Sequence, residues 1–347
     1  MHYSNAESHG ILDGRDRITL DVLDSHSGGN PTRVLIGGIP KLAGNNVANA
    51  QAEFRERFDY IRTALVLEPR GGALTSAAVL VEPGDKRADI GLFYMEAHGY
   101  LDMCGSDTIA AVTALLEAGV VHMSEPLTEL VIETPAGLVE ATASIRGARV
   151  KSVTFTNVPA RSIALDQKIP LSDGSAVAAD IAWGGNHFAL VDATNLGLDV
   201  RGDLPALKVA GVTLLRALAK SEDPALRRVD HVLFYNQHRM SEVACPIVVI
   251  VTPGIIDRSP CGTGTTARIA SLVASGHMSS GDVLIHEGPL GERFTGTVHR
   301  VDHIGGNLQT TVKISGRGYL TGTGQVHIYG DDPLGSGFSI TELPPLE

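Results

Sequence analysis

Short runs in which apolar and polar residues alternate dominate the chain, and they predict β-strands. Residues 18–24 alternate in this way, and the turn-rich stretch Ser25–Pro31 separates them from a second run at residues 32–36, so we expect a strand pair. The polar residues 1–17 are interpreted as a loose leader. Further strands are predicted at residues 77–81, 90–95, 127–133, 138–144, 153–159, 181–183, 189–192, 231–236, 247–252, 294–301, 308–314 and 325–329.

Four segments instead carry a helical pattern. Residues 46–60 are charged and amphipathic, and residues 204–220 form a second candidate helix. The other two segments are mostly small and apolar, which predicts buried helices. One spans residues 108–118 and is closed by Gly119, a favourable residue just beyond a helix C-terminus, and the other follows Cys261.

The segments that begin at the two cysteines Cys104 and Cys261 are related by an internal duplication. Six of sixteen positions are identical at a single offset between residues 104–119 and residues 261–276. The identical pairs are Cys104/Cys261, Gly105/Gly262, Thr108/Thr265, Ala110/Ala267, Leu115/Leu272 and Gly119/Gly276. The duplication predicts two halves, each of which presents one thiol.

Composition narrows the class of protein. The chain has 347 residues, enough for two domains, and no apolar run approaches the roughly 18–20 residues of a membrane span. A net charge of −11 argues against nucleic acid or an anionic membrane as a partner. The N-terminal residues lack the basic and apolar regions of a signal peptide. Three cysteines without CxxC spacing fit neither a disulfide framework nor a zinc site, so we expect a reducing compartment, the cytoplasm.

A thiol immediately before a helix has a chemical use. The first turn of a helix has backbone N–H groups without intrahelical partners, which stabilise a thiolate or bind a carboxylate. Two such thiols on opposite sides of a small acidic ligand can invert a stereocentre, since one thiolate removes a proton and the other thiol returns one to the opposite face. This chemistry needs neither a metal nor another cofactor.

Structural interpretations compete with this one. Cysteine is among the most buried residue types, and a single Cys before a helix is usually structural; the duplicated context favours function here. Cys245 has no such context and is interpreted as a core or strand residue. A disulfide between Cys104 and Cys261 would be an oxidised, inactive form.

Several motifs resemble the proline racemase superfamily, including its 4-hydroxyproline 2-epimerases, from about Ile18 onward. The most specific is Asp257-Arg258-Ser259-Pro260-Cys261-Gly262-Thr263-Gly264-Thr265, which is similar to the signature of the second cysteine. Gly99-Tyr100-Leu101-Asp102-Met103-Cys104-Gly105 is similar to the first. Supporting matches are Pro31-Thr32-Arg33-Val34, Glu68-Pro69-Arg70-Gly71 and Trp183-Gly184-Gly185-Asn186.

The resemblance implies an α+β fold shared with diaminopimelate epimerase. That fold has two pseudo-symmetric domains, each a curved, mostly antiparallel sheet around a central helix, with the active site between them. The C-terminal segment returns to complete the first domain. The expected limits are residues 1–126 with 323–347 for the first domain and 127–322 for the second. The resemblance leaves a homodimer open.

The resemblance also assigns roles to individual residues. Cys104 and Cys261 would be the two acid/base thiols, with no metal and no cofactor. Four further residues, Gly105, Ser106, Gly262 and Thr263, would bind the substrate carboxylate through backbone N–H groups. Asp257 would receive the substrate ring nitrogen, or alternatively cap the loop. His231 would contact the substrate, or alternatively be a structural histidine at a strand end. The sequence does not rank His26, His98 and His187 as further cleft residues.

The first cysteine motif departs from the superfamily pattern. A histidine usually follows Cys-Gly, and Ser106-Asp107 stands there instead. Asp107 would then bind a basic or hydroxylated group of the substrate, or simply cap the helix. The residues Gly72-Ala73-Leu74-Thr75 lack the His-Asp pattern that is typical of the superfamily's dehydratases and plain proline racemases, and are more similar to its epimerases. Asn30 replaces an acidic residue that is common before Pro31.

Cys261 favours racemisation or epimerisation over elimination, because the superfamily's 3-hydroxyproline dehydratases have threonine at this position. The leading hypothesis is an epimerase that converts trans-4-hydroxy-L-proline to cis-4-hydroxy-D-proline. A proline racemase, an epimerase of another small cyclic amino acid, a hydroxyproline dehydratase and a non-catalytic protein that binds proline analogues remain alternatives.

Overall fold

The computed structural model describes residues 16–240 and 242–339 as a mixed α+β fold. The helices of this part are α1 Val47–Val66, α2 Gly105–Glu117, α3 Leu204–Ala219 and α4 Gly262–Ala274. The strands are β1 Arg17–Ser27, β2 Asn30–Gly37, β3 Ser76–Val81, β4 Ile90–Glu96, β5 Gly99–Leu101, β6 Leu127–Thr134, β7 Gly137–Ile145, β8 Val150–Thr156, β9 Arg161–Pro170, β10 Ala176–Trp183, β11 His187–Asp192, β12 His231–Tyr235, β13 Cys245–Val251, β14 Ile255–Ile256, β15 Val283–Glu287, β16 Arg293–Ile304, β17 Asn307–Gly316 and β18 Gly318–Tyr329.

The series of parallel and antiparallel strand pairings across the sheet is the same when it is followed from either edge. From one edge the order is β18, β1, β2, β3, β4, β6, β7 and β8, followed by β17, β16, β15, β13, β12, β11, β10 and β9. The short strands β5 and β14 attach to β4 and β13. Most pairs are antiparallel, and the parallel ones, β2–β3, β4–β6, β11–β12 and β13–β15, occupy equivalent places. The chain therefore has two equivalent halves, which confirms the predicted pseudo-symmetric α+β fold.

The ladder joins the two halves where β8 pairs with β17. On this order β18 belongs with β1–β8, because its residues pair with β1 from Arg17 to Ser27. The domain limits given above stay a prediction. The equivalence of the two halves favours a join between β8 and β9, at residues 157–160, over a limit at residue 126.

Each half wraps its strands around one central helix. Helices α2 and α4 each have thirteen residues, and the first twelve of each are buried. Parallel strands need a crossover connection, and α2 and α4 supply it between β4 and β6 and between β13 and β15. Gly119 and Gly276 follow these helices with φ of 72° and 76°, the left-handed conformation expected just beyond a helix C-terminus.

The predicted strands and helices are present, but several limits were wrong and some strands were missed. Strand β10 begins earlier than predicted, at Ala176, strand β18 begins at Gly318, and the short strands β5 and β14 were not predicted. Strand β1 continues to Ser27 because Ser25 and Ser27 donate hydrogen bonds to the carbonyls of Thr32 and Arg317, so a polar sequence is buried there. Helix α1 runs to Val66, since its last two turns bury apolar residues. Strand β9 was missed because it is largely half-buried and lacks a clean alternation. The predicted leader lies, except for its last two residues, outside the described part.

We expect the contact between the β10–β11 loop and α4 to be sensitive to a single methyl group. A Cβ added at Gly184 would lie 2.4 Å from the carbonyl oxygen of Thr263 and 2.6 Å from the amide nitrogen of Ala267, both backbone atoms. Gly184→Ala should therefore lower the free energy of unfolding by about 1–3 kcal/mol, measured by urea denaturation. Gly202→Ala, at an exposed glycine with no atom within 4 Å of the added Cβ, is the control and should change it by less than about 0.5 kcal/mol. Equal effects of the two variants would contradict this account.

Candidate active site

The N-termini of the two central helices meet head to head. A Cβ built on Gly105 would lie 3.1 Å from Cα of Gly262, and one built on Gly262 would lie 3.2 Å from Cα of Gly105. Only glycine allows the two backbones to approach so closely. Both cysteines precede these glycines directly, so the meeting of the helices brings the two thiols to the same place.

A cavity of about 90 Å³ lies at this junction. It accommodates roughly six to nine water-sized groups, which suits a single small amino acid better than a peptide. Its lining includes all eight predicted site residues, Cys104, Gly105, Ser106, His231, Asp257, Cys261, Gly262 and Thr263, together with Asn30, Ser76, Glu96, Leu101, Asp107, Asn186 and Ile256, among others. The structure thus brings together residues that lie far apart in the sequence.

Cys104 caps α2 in an extended backbone conformation with φ of −139°. Its Sγ lies 3.5 Å from Oγ of Ser106. Burial raises the pKa of the thiol well above its ordinary value, and the neighbouring carboxylate of Asp107 raises it further. The hydroxyl of Thr108 donates to the Cys104 carbonyl at 2.7 Å, which supports the first helical turn.

Cys261 caps α4 in a different conformation, with φ of +56°. This left-handed region is strained for a residue other than glycine, and such strain is concentrated at functional sites. Its Sγ accepts a hydrogen bond from the Gly264 amide at 3.3 Å and lies 3.7 Å from Oγ1 of Thr263. Burial, and then the charge of Asp257, raise the pKa of this thiol well above its ordinary value.

Asp257 is held at the cavity by two donors. Its Oδ1 accepts hydrogen bonds from Nδ2 of Asn30 at 2.6 Å and from the Ser259 amide at 2.8 Å. Asn30 also accepts a hydrogen bond from the Arg258 amide at 3.0 Å. The side chain of Asn30 therefore ties the β1–β2 turn to the segment before Cys261, a contact that the sequence did not reveal.

His231 begins β12 and is buried against the ring of Phe188. Its Nδ1 lies 2.7 Å from Oδ1 of Asp230. Although burial opposes it, the charge and hydrogen bond of Asp230 raise the pKa of His231, and Glu96 adds to the effect. Asp230 also fixes the orientation of the ring.

Asp107 is 1% exposed and is anchored from two neighbouring strands. Its Oδ1 accepts hydrogen bonds from Thr32 Oγ1 at 2.6 Å and Ser76 Oγ at 2.5 Å, while its Oδ2 is buried with no hydrogen-bond partner. Burial raises the pKa of this carboxyl group.

The other histidines contribute less to the cavity. His26 stacks on Tyr319 with ring centroids 5.1 Å apart, and neither His98 nor His187 is among the described residues that line the cavity. Glu96 lines it and was missed in the sequence, where nothing distinguishes it from other acidic residues at strand ends. Burial raises the pKa of Glu96.

In residues 16–240 and 242–339, no helix has the length and apolar character needed to cross a membrane. The same part of the chain contains no group of three or more His, Cys, Asp or Glu side chains arranged to hold a metal ion.

Comparisons with known proteins agree on one family. The family described as proline racemase matches residues 22–339. A proline racemase from Clostridioides difficile is 36% identical over 327 residues, which cover 92% of this chain and 98% of the relative. A 4-hydroxyproline 2-epimerase from Streptosporangium roseum is 34% identical over 339 residues, covering 93% and 99%.

Solved structures agree with the sequence relatives. A hydroxyproline epimerase from Agrobacterium vitis with bound trans-4-hydroxy-L-proline has a TM-score of 0.85 at 34% identity, covering 93% of this chain and 96% of that one. A phenazine biosynthesis protein of the PhzF family from Bacillus anthracis, at 16% identity and a TM-score of 0.55, shares the fold. This chain therefore belongs to the proline racemase family and is an isomerase of the racemase and epimerase type.

Proposed function

We propose that this protein epimerises trans-4-hydroxy-L-proline to cis-4-hydroxy-D-proline by a two-base mechanism in which Cys104 and Cys261 are the bases. The observation that carries the proposal is the head-to-head meeting of two helix N-termini, each preceded by a thiol, at one small cavity. The relative solved with trans-4-hydroxy-L-proline supports the choice of substrate. Proline is the second candidate, because a proline racemase relative is 36% identical and the two hydroxyproline epimerases are each 34% identical. A cytoplasmic location and a homodimer stay predictions.

The substrate would be held at its two charged groups. The carboxylate binds between the helix N-termini, where the amides of Gly105, Ser106, Gly262 and Thr263 are the expected donors. The ring ammonium pairs with Asp257, whose Oδ1 is already oriented by Asn30 and Ser259. With both ends fixed, Cα is placed between the thiols.

The chemistry is then a transfer of two protons. One thiolate removes the Cα proton and becomes a thiol, while the opposite thiol donates its proton to the other face of the carbon and becomes a thiolate. As the proton leaves, negative charge develops on the substrate carboxylate. The helix N-termini stabilise that charge because their N–H groups are already oriented toward it.

We expect both cysteines to be essential for inversion and the third to be dispensable. Cys104→Ala and Cys261→Ala should each lower the rate of inversion of trans-4-hydroxy-L-proline by about 10²–10⁴-fold, because each removes one of two acid/base groups. Cys245→Ala, at a buried cysteine in β13 that does not line the cavity, is the matched control and should remain active. Chiral chromatography measures inversion, and mass spectrometry measures deuterium uptake at Cα in heavy water.

Other outcomes of the same incubation point to the alternatives. A cyclic imine product would indicate a dehydratase. Thermal stabilisation by pyrrole-2-carboxylate, without deuterium uptake from hydroxyproline or proline, would indicate a binding protein. Either result would contradict the proposed epimerase.

The rate should depend on pH through the two thiols. The mechanism needs one thiolate and one thiol, so kcat/KM rises through the lower of their two macroscopic pKa values and falls through the higher. Since both thiols have pKa values above the ordinary 9.0, kcat/KM should increase through the neutral range and show no maximum below pH 9.0. A maximum near neutral pH, in a pH-rate profile with hydroxyproline, would contradict the assignment of these thiols as the reacting groups.

Asp257 should contribute to recognition of the ammonium group. Asp257→Asn keeps the size and the acceptor oxygen but removes the charge. We expect kcat/KM for hydroxyproline to fall by about 10–100-fold, the value of a hydrogen bond to a charged group. Pyrrole-2-carboxylate has no ammonium, so its binding, measured by calorimetry, should change little. Equal losses for both ligands would mean that the substitution disturbs the cavity rather than one charge.

A further inference from the structure

The first central helix carries a carboxylate next to its thiol, and the second does not. Asp107 is the third residue after Cys104, and Gly264 is the third residue after Cys261. The two positions are equivalent in the internal duplication. The two thiols, which a symmetric mechanism treats alike, therefore have different surroundings.

A side chain at this position lies against the thiol. In the second half, a Cβ added at Gly264 would lie 2.9 Å from Sγ of Cys261. In the first half, Cys104 and Asp107 lie three residues apart at the start of α2 and both line the cavity, and the charge of Asp107 raises the pKa of the thiol.

The carboxylate is also held so that one oxygen remains available. Thr32 and Ser76 donate to Oδ1, whereas Oδ2 has no hydrogen-bond partner. Both donors are neutral hydroxyls, so they orient the group without neutralising its charge. A buried carboxylate oxygen without a partner lacks a donor, and a proton on the nearby Cys104 thiol can supply one.

The other ionisable groups around this pair do not compensate the charge. The Tyr94 hydroxyl hydrogen-bonds the side chain of Thr108 in the same helical turn, and Glu96 and Asp257 are acidic. His231, the cavity's histidine, is paired with Asp230. Among the described residues that line the cavity, none is Lys or Arg.

Asp257 also adjoins a thiol, that of Cys261, but its situation changes on binding. Under the proposed function the substrate ammonium neutralises Asp257, which leaves the Cys261 thiolate stabilised by the Gly264 amide. No equivalent cation of hydroxyproline or proline is assigned to Asp107. The charge beside Cys104 therefore persists in the complex.

We propose that Asp107 is a positioning residue that retains the proton on Cys104, so that Cys261 is the base and Cys104 the acid when substrate is bound. This inference rests on the proposed function. In the favoured direction Cys261 takes the Cα proton, and Cys104 gives its proton to the opposite face. The Cys104 thiolate left beside Asp107 is then reprotonated, while Cys261 returns its proton to solvent, so that the resting form is restored.

The test measures ionisation of each thiol without substrate. Rates of alkylation by iodoacetamide are followed for Cys104 and Cys261 separately, by peptide mass spectrometry, in the full-length protein across a range of pH. In Asp107→Asn the rate at Cys104 should rise tenfold or more, as expected for loss of an adjacent like charge, and the rate at Cys261 should stay within about twofold.

Two further variants make the result specific. Asp102→Asn, at an exposed carboxylate two residues before Cys104, is the matched control and should leave both rates unchanged. Asp107→Gly introduces the residue that the second half has at this position, and it should raise the alkylation rate at Cys104 as much as Asp107→Asn does. The test therefore still gives a result if Asp107→Asn does not fold.

An unchanged rate at Cys104 in the Asp107 variants would overturn the proposal. A parallel rise at both thiols would also overturn it, since it would indicate a loosened cavity. The measurement involves no turnover, so it stands apart from the test of epimerase activity: a protein inactive on hydroxyproline would still show whether Asp107 controls the proton on Cys104.

Discussion

The arrangement of this protein depends on the contact between two backbones, where Gly105 and Gly262 begin the central helices and no side chain separates them. Each helix contributes the positive end of its dipole and a set of N–H groups, which under the proposed function bind the substrate carboxylate. Among the described residues that line the cavity, none is Lys or Arg. The sheet of each half wraps around one of these helices and buries it along its length. The helices can therefore move little relative to their own half, and the site between them is rigid on both sides.

Duplication explains the resemblance of the two halves but not the polar groups that distinguish them. Asn30 orients Asp257 on one side of the cavity, and Thr32 with Ser76 orients Asp107 on the other. All three donors belong to the first half. The polar groups around the site are thus asymmetric although the framework is symmetric. Such asymmetry is compatible with a reaction that treats the two faces of one carbon differently.

The sequence predicted the framework well because it rests on local patterns. Alternation identified most strands, and the repeated Cys-Gly segments identified both thiols. The polar partners could not be found in this way, because Asn30 and Asp257 are 227 residues apart and the pattern around each gives no sign of the other. The limits of β1 and α1 were misjudged for a related reason, since distant elements bury Ser25, Ser27 and the end of α1.

The pairing of β18 with β1 has a consequence for how the chain reaches this structure. Strand β1 precedes the whole second half in the sequence, and its partner β18 follows it. Strands β9–β17 are contiguous in sequence, so the second half can assemble before β18 is synthesised. The first half must wait with one side of β1 uncovered, an exposed strand edge that favours association with other chains until β18 arrives. Loss of β18 would thus leave the second half with its full set of strands and expose one side of β1 in the first half.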